Sequence, residues 1–156
     1  MRYLLLLLIL SCGSSNVIIT ANGPIYVEER LQPFYQRFME YAEELGVKVN
    51  CDNLSMYTTD EIPSGTQLAV AKVYSNGYKE IIIYNRFYET ATDVAKEIVV
   101  FHEIFHACLR KEHRNNSIMQ SNMLNESLYL YYYSFYIKEA FLGVVDYTEH
   151  FIYRDY

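Results

Sequence analysis

His102-Glu103-Ile104-Phe105-His106 matches the H-E-x-x-H pattern, and its residue types and spacing could do chemistry directly. Two histidines four apart stack on one face of a helix, so both imidazoles can reach one metal ion. The glutamate beside the first histidine sits about 100° round the helix, where it can work on water rather than bind the metal. Hydrolysis at a zinc site needs such a set: neutral nitrogen ligands, a third protein ligand, an open position for water, and a carboxylate base. Three of the four histidines in the chain, His102, His106 and His113, lie in this region. The bland alternative is a pair of satisfied histidines on an ordinary amphipathic helix.

Three residues downstream could complete the ligand set: Glu112, His113 and Glu126. His113 is followed by Ser117-Ile118-Met119. A late histidine and then this tripeptide resembles the Met-turn of the metzincin zinc peptidases. The segment from Glu80 to Gln120 reads as strand, aromatic-rich turn, zinc-motif helix, histidine and Ser-Ile-Met. In that order it resembles the small metallopeptidase lipoproteins of Bacteroidetes-type bacteria, which carry one extra residue before the third histidine. The resemblance implies His102, His106 and His113 as Zn2+ ligands, Glu103 as general base, and Met119 as the apolar floor of the site.

Two departures from the metzincin pattern concern the loop. Leu109 stands where most metzincins have glycine, and Glu112 occupies the usual slot of the third histidine. The turn out of the helix must then be made through Arg110 or Lys111. Ser121 stands where some metzincins have an assisting tyrosine, so no oxyanion stabiliser is assigned. Asn125-Glu126 resembles the third-ligand pair of gluzincins, which leaves Glu126 as the alternative third ligand. Its plainer role is a first-turn helix acid favoured by the macrodipole. Met119 also has a plainer role, filling a gap in the core. His150 reads as a surface residue.

The elements that must position these residues are legible from periodicity. Thr90-Ala91-Thr92-Asp93 offers helix caps, and Val94, Ile98, Phe101, Phe105 and Cys108 then recur at spacings of three and four. An N-terminal helix is expected within Val27 to Leu45, starting or bending at Pro33 and stopped by Gly46. Val47 to Asn50 and Leu54 to Thr58 read as short strands. Leu68 to Tyr74 and Lys79 to Tyr84 read as a hairpin, with Asn76-Gly77 suited to a type I′ turn. Ile81-Ile82-Ile83 lacks alternation, so it is expected as a central strand buried on both faces. A last helix is expected from Asn122 or Asn125 to about Leu142, ended by Gly143, with Tyr129, Tyr131, Tyr132, Tyr133 and Tyr136 along it.

The 156 residues suggest one domain, and 51% hydrophobic content suffices for a core. The net charge of −6, with no basic cluster, argues against a nucleic-acid partner. Residues 1–11 read as a signal peptide: Met1-Arg2, then an apolar run from Leu4 to Leu10 too short for a span of roughly 20 residues. Ile9-Leu10-Ser11-Cys12 resembles a bacterial lipobox, making Cys12 the expected lipidation site. Residues 12–25 are then a lipid-anchored tether, with Gly13-Ser14-Ser15-Asn16 as its flexible part. The expected location is the cell envelope, in the periplasm or on the outer membrane, with a membrane as partner through the anchor. Cys51 and Cys108 are left over in a disulfide-permissive compartment, as a bridge or as separate buried residues.

Residues 26–156 are thus expected to form an α+β domain, a compact zincin of metzincin-like type. A twisted mixed sheet would lie over the zinc-site helix, flanked by N- and C-terminal helices. The expected activity is zinc-dependent hydrolysis of peptide bonds in a protein or peptide substrate, with Glu103 as base. The alternatives are a gluzincin-type peptidase using Glu126, a non-catalytic zinc-binding envelope protein, and a peptidoglycan amidase.

Overall fold

Ile81, Ile82 and Ile83 are β-branched and follow one another without a polar break, which suits a strand covered on both sides. In the computed structural model, which describes residues 17–20, 23–62 and 64–143, that strand is interior to a five-stranded mixed sheet. The strands are β1 (Val17–Thr20), β2 (Gly23–Val27), β3 (Leu54–Thr59), β4 (Ala69–Val73) and β5 (Lys79–Tyr84), in the order β1-β2-β3-β5-β4. The pairs β2–β3 and β3–β5 are parallel, and β1–β2 and β4–β5 are antiparallel. The helices are α1 (Gln32–Glu44), α2 (Asn85–Tyr88), α3 (Asp93–Leu109), α4 (Glu126–Tyr131) and α5 (Tyr133–Leu142). The protein is therefore α+β with a mixed sheet, as its sequence implies.

The core lies between one face of the sheet and helices α1 and α3. The register aligns Val27, Met56, Ile81 and Ala71 in one row across β2, β3, β5 and β4. Val27, Met56 and Ile81 are buried on the helix side. Phe38 of α1 meets Phe101 and Phe105 of α3 and Phe141 of α5, with ring centroids 4.8–5.3 Å apart. Such edge-on and tilted contacts add to the area buried by each ring. At the fourth position of the row the side chain shrinks to Ala71, which lets α3 approach β4 closely. Cys51 and Cys108 are joined by a disulfide, which ties the chain before β3 to the last turn of α3.

The structure departs from the sequence expectation at three elements. Val47 to Asn50 is not a strand. The segment follows the end of α1 directly, with the Val47 amide donating to the Ala42 carbonyl at 2.8 Å, and it runs to Cys51 without joining the sheet. The β4–β5 turn is not type I′, because Gly77 has φ +85° while Asn76 keeps a negative φ. The Gly77 amide donates to the Tyr74 carbonyl at 3.0 Å and the Tyr74 amide to the Tyr78 carbonyl at 2.9 Å. This is a three-residue loop with glycine at the left-handed position, another of the common hairpin solutions. The C-terminal helix is broken at Tyr132 into α4 and α5. Tyr129 and Tyr133, on either side of the break, both reach one buried carboxylate, Glu97.

The sheet also begins upstream of residue 26, since Val17–Thr20 pairs with Gly23–Val27. The expected signal peptide, Cys12, His150 and the tail from residue 144 lie outside the described residues. Among the described residues, no helix is long and apolar enough to cross a membrane.

Candidate metal centre

Helix α3 starts where the sequence places its cap: the Thr92 hydroxyl accepts the Ala95 amide at 3.1 Å. It ends three residues after His106. The expected glycine is absent, and the reversal is made by Arg110, which adopts φ 57° and ψ 31° and donates its amide to the Phe105 carbonyl. A non-glycine residue in this region costs roughly 1–2 kcal/mol. The turn sends the following loop back along the helix toward His102.

The result is a cluster of three nitrogens. Nε2 of His106 lies 2.9 Å from Nε2 of His102 and 3.1 Å from that of His113, and the His102–His113 separation is 3.2 Å. The other ring nitrogens are tied to backbone: His102 Nδ1 donates to the Ile118 carbonyl at 2.8 Å and His106 Nδ1 to the Lys111 carbonyl at 2.6 Å. A carbonyl can only accept, so each Nδ1 carries the proton and each Nε2 presents a lone pair. Lone pairs facing one another at this range repel unless a cation lies between them. A tetrahedral ion with nitrogens at about 2.0–2.1 Å keeps them roughly 3.3 Å apart, close to the separations found. The three histidines could therefore hold a metal ion.

Burial prepares the rings for that role. It lowers the pKa of His102 from 6.5 to about 4; the Ile118 carbonyl opposes the shift, and His106 and His113 add to it. The pKa of His106 is lowered too, again chiefly by burial. Both rings are thus neutral near pH 7, the state in which imidazole binds metal.

Glu103 is 8% exposed. Burial raises its pKa from 4.5 to about 7, against a smaller opposing pull from a hydrogen bond with the Ala71 amide. That amide belongs to the sheet edge. Tyr84 N donates to Leu68 O at 3.1 Å and Tyr74 N to Tyr78 O at 2.9 Å, so even-numbered residues of β4 face β5. By alternation, Ala69, Ala71 and Val73 point their amides and carbonyls at the outer edge. A cleft of about 520 Å³ runs between this edge and residues 118–124, with the histidines and Glu103 along it.

Glu126 does not join the cluster. It stands in the first turn of α4, whose cap is Asn125, and accepts the Thr92 hydroxyl at 2.5 Å. Met119 is buried in the loop after His113, at 3% exposure. Several contributors carry little sequence signal. The carbonyls of Lys111 and Ile118 and the amide of Ala71 are backbone groups, invisible to any reading of side chains. Glu139 of α5, which accepts the Ser117 hydroxyl behind the loop, had a signal: an acid beside Ala140 and Phe141 on an apolar helix face. Compared with known proteins, the chain matches no family, no curated protein and no solved structure.

Proposed function

We propose that the protein is a zinc-dependent endopeptidase of metzincin-like type. The observation that carries the reading is the convergence of three Nε2 atoms within 3.2 Å of one another, beside a buried glutamate in an open cleft. Zinc bound there would supply Lewis-acid polarisation of a carbonyl and acidification of water. Glu103 takes the proton from the attacking water and returns it to the leaving amine. Buried at 8% exposure one residue from His102, Glu103 is placed beside the cluster for both transfers.

The cleft wall suits an extended peptide. Such a chain adds to β4 as a further strand, pairing with the outward amide and carbonyl of Ala69, while its side chains are read by pockets. Ile98, Val99 and Leu124 give the cleft apolar lining, and Gln67, Gln120 and Asn122 give it uncharged polar lining. That lining favours uncharged side chains.

Glu103→Gln is the test. The variant is expected to keep its metal, measured by elemental analysis, and to lose roughly 10²- to 10⁴-fold in cleavage of casein or a peptide library. Cleavage at the wild-type rate would reject Glu103 as base. If wild type releases fragments from purified peptidoglycan and leaves peptides intact, the same site is an amidase. Metal retained without turnover of either would make it a binding protein.

A further inference from the structure

One carboxylate stands behind the loop that completes the cluster. Glu139 of α5 is 7% exposed, and its two oxygens serve two different residues. Oε2 accepts the Ser117 hydroxyl at 2.5 Å, and Oε1 faces the Arg114 guanidinium at 2.8 Å. Ser117 Oγ in turn accepts the Met119 amide at 3.1 Å, and the Arg114 amide donates to the Met119 carbonyl at 2.8 Å. Residues 114–119 thus close on themselves, and Glu139 fastens them to α5 at two points. Lys111 Nζ adds a contact to the Phe141 carbonyl at 3.3 Å, and Arg114 Nη1 one to the Gly143 carbonyl at 3.0 Å. Both cations sit at the C-terminal end of α5, where the helix dipole favours them.

All three histidines depend on this loop. His113 is part of it, next to Arg114. His102 is aimed by the carbonyl of Ile118, and His106 by that of Lys111. A shift of the loop therefore disturbs one ligand directly and the orientation of the other two. Outer partners of metal ligands act in this way, fixing the ring and its tautomer.

We propose that Glu139 is a positioning residue for the metal centre, holding the 111–119 loop through Ser117 and Arg114 in the conformation that converges the three Nε2 atoms. The proposal rests on the cluster being a metal site. What the loop requires of position 139 is a negative acceptor with two oxygens, one for a buried hydroxyl and one for a guanidinium.

The experiment is a Co2+ titration of the full-length chain against a competing chelator, with absorption spectra, on wild type, Glu139→Gln, Ser117→Ala and Glu89→Gln. Unfolding by urea in excess chelator is followed in parallel. Glu89 pairs with Arg30 at 2.5 Å, near the other end of α3, so its variant controls for the loss of an acid as such. Glu139→Gln and Ser117→Ala are expected to bind Co2+ roughly 10- to 100-fold more weakly, with altered visible bands. Glu89→Gln is expected to bind as wild type does. Should Glu139→Gln not fold, Ser117→Ala, which deletes one hydroxyl, decides. Wild-type affinity and spectrum in the Glu139 and Ser117 variants would overturn the proposal, as would equal weakening in Glu89→Gln. Wild type that binds no metal would overturn the metal-centre reading and the proposal together.

Discussion

Glu103 and His102 are neighbours whose charges burial suppresses in opposite senses. In metal-free protein the pKa of Glu103 is raised from 4.5 to about 7 and that of His102 is lowered from 6.5 to about 4, burial being the leading cause of both. For Glu103 the folded pKa exceeds the unfolded one, so its contribution to stability is full below 4.5 and is lost as pH rises through 7. For His102 the contribution is full above 6.5 and is lost as pH falls through 4. The two slopes oppose each other over the shared interval. Glu103→Gln removes one of them. In chelator, the urea midpoint of this variant relative to wild type is expected to climb as pH rises from about 4.5 to 7. A difference that stays constant across that interval would contradict the burial of Glu103. His102, Glu103 and His106 were readable from the chain because they share one helix turn. His113 was favoured over Glu126 only through the resemblance of Ser117-Ile118-Met119 to a Met-turn; how it reaches the cluster hangs on the backbone of Arg110 at φ 57°.

Strand β4 makes an analogous division between its two sets of amides. Val70 faces β5 and contributes to the ladder, whereas Ala69 faces the cleft. Proline removes a backbone donor and is tolerated on edge strands when that donor points away from the sheet. Ala69→Pro is therefore expected to fold and to lose roughly fivefold in peptide cleavage, the worth of about one hydrogen bond. Val70→Pro is expected to lower the urea midpoint, because it deletes a ladder bond to Ile82. The reverse pattern would mean the register places the other set of amides at the edge. The hairpin itself was evident from two β-rich runs around Asn76-Gly77. Its turn type was not, because loop length is set by how the flanking pairs close. Val47 to Asn50 misled for a similar reason: its residues suit a strand, but its start is tied to the last turn of α1, with the Val47 amide on the Ala42 carbonyl.

Glu97 holds the helices together. Fully buried on α3, it accepts the Tyr129 hydroxyl at 2.8 Å and the Tyr133 hydroxyl at 2.9 Å, and pairs with Arg37 of α1. Tyr133 also meets Tyr41 of α1 at 2.8 Å. One carboxylate thus joins α1, α3, α4 and α5. Glu97→Ala removes the buried acceptor that Tyr129, Tyr133 and Arg37 share and is expected to cost about 3–5 kcal/mol in urea unfolding. A loss below about 1 kcal/mol would place the network among dispensable surface pairs. The disulfide acts on the same scale. With a sequence separation of 57, Cys51–Cys108 restricts the unfolded chain by roughly 4 kcal/mol on the loop-entropy account.

Short-range physics explains what could be read from the chain. Caps at Thr92 and Asn125, the helical stripe through His102 and His106, and the unalternating run at Ile81 are all encoded within a few neighbouring residues. The mixed α+β architecture follows from their order. The approach of His113 to the other two nitrogens, the pairing of Cys51 with Cys108, the acceptor role of Glu97 and the link from Glu139 to Ser117 depend on contacts between residues apart in the chain. Local spacing carries no record of such contacts. Packing decides them, because buried ions, hydroxyls and lone pairs must each find a partner, and which partner is in reach is known only once the helices and sheet have met.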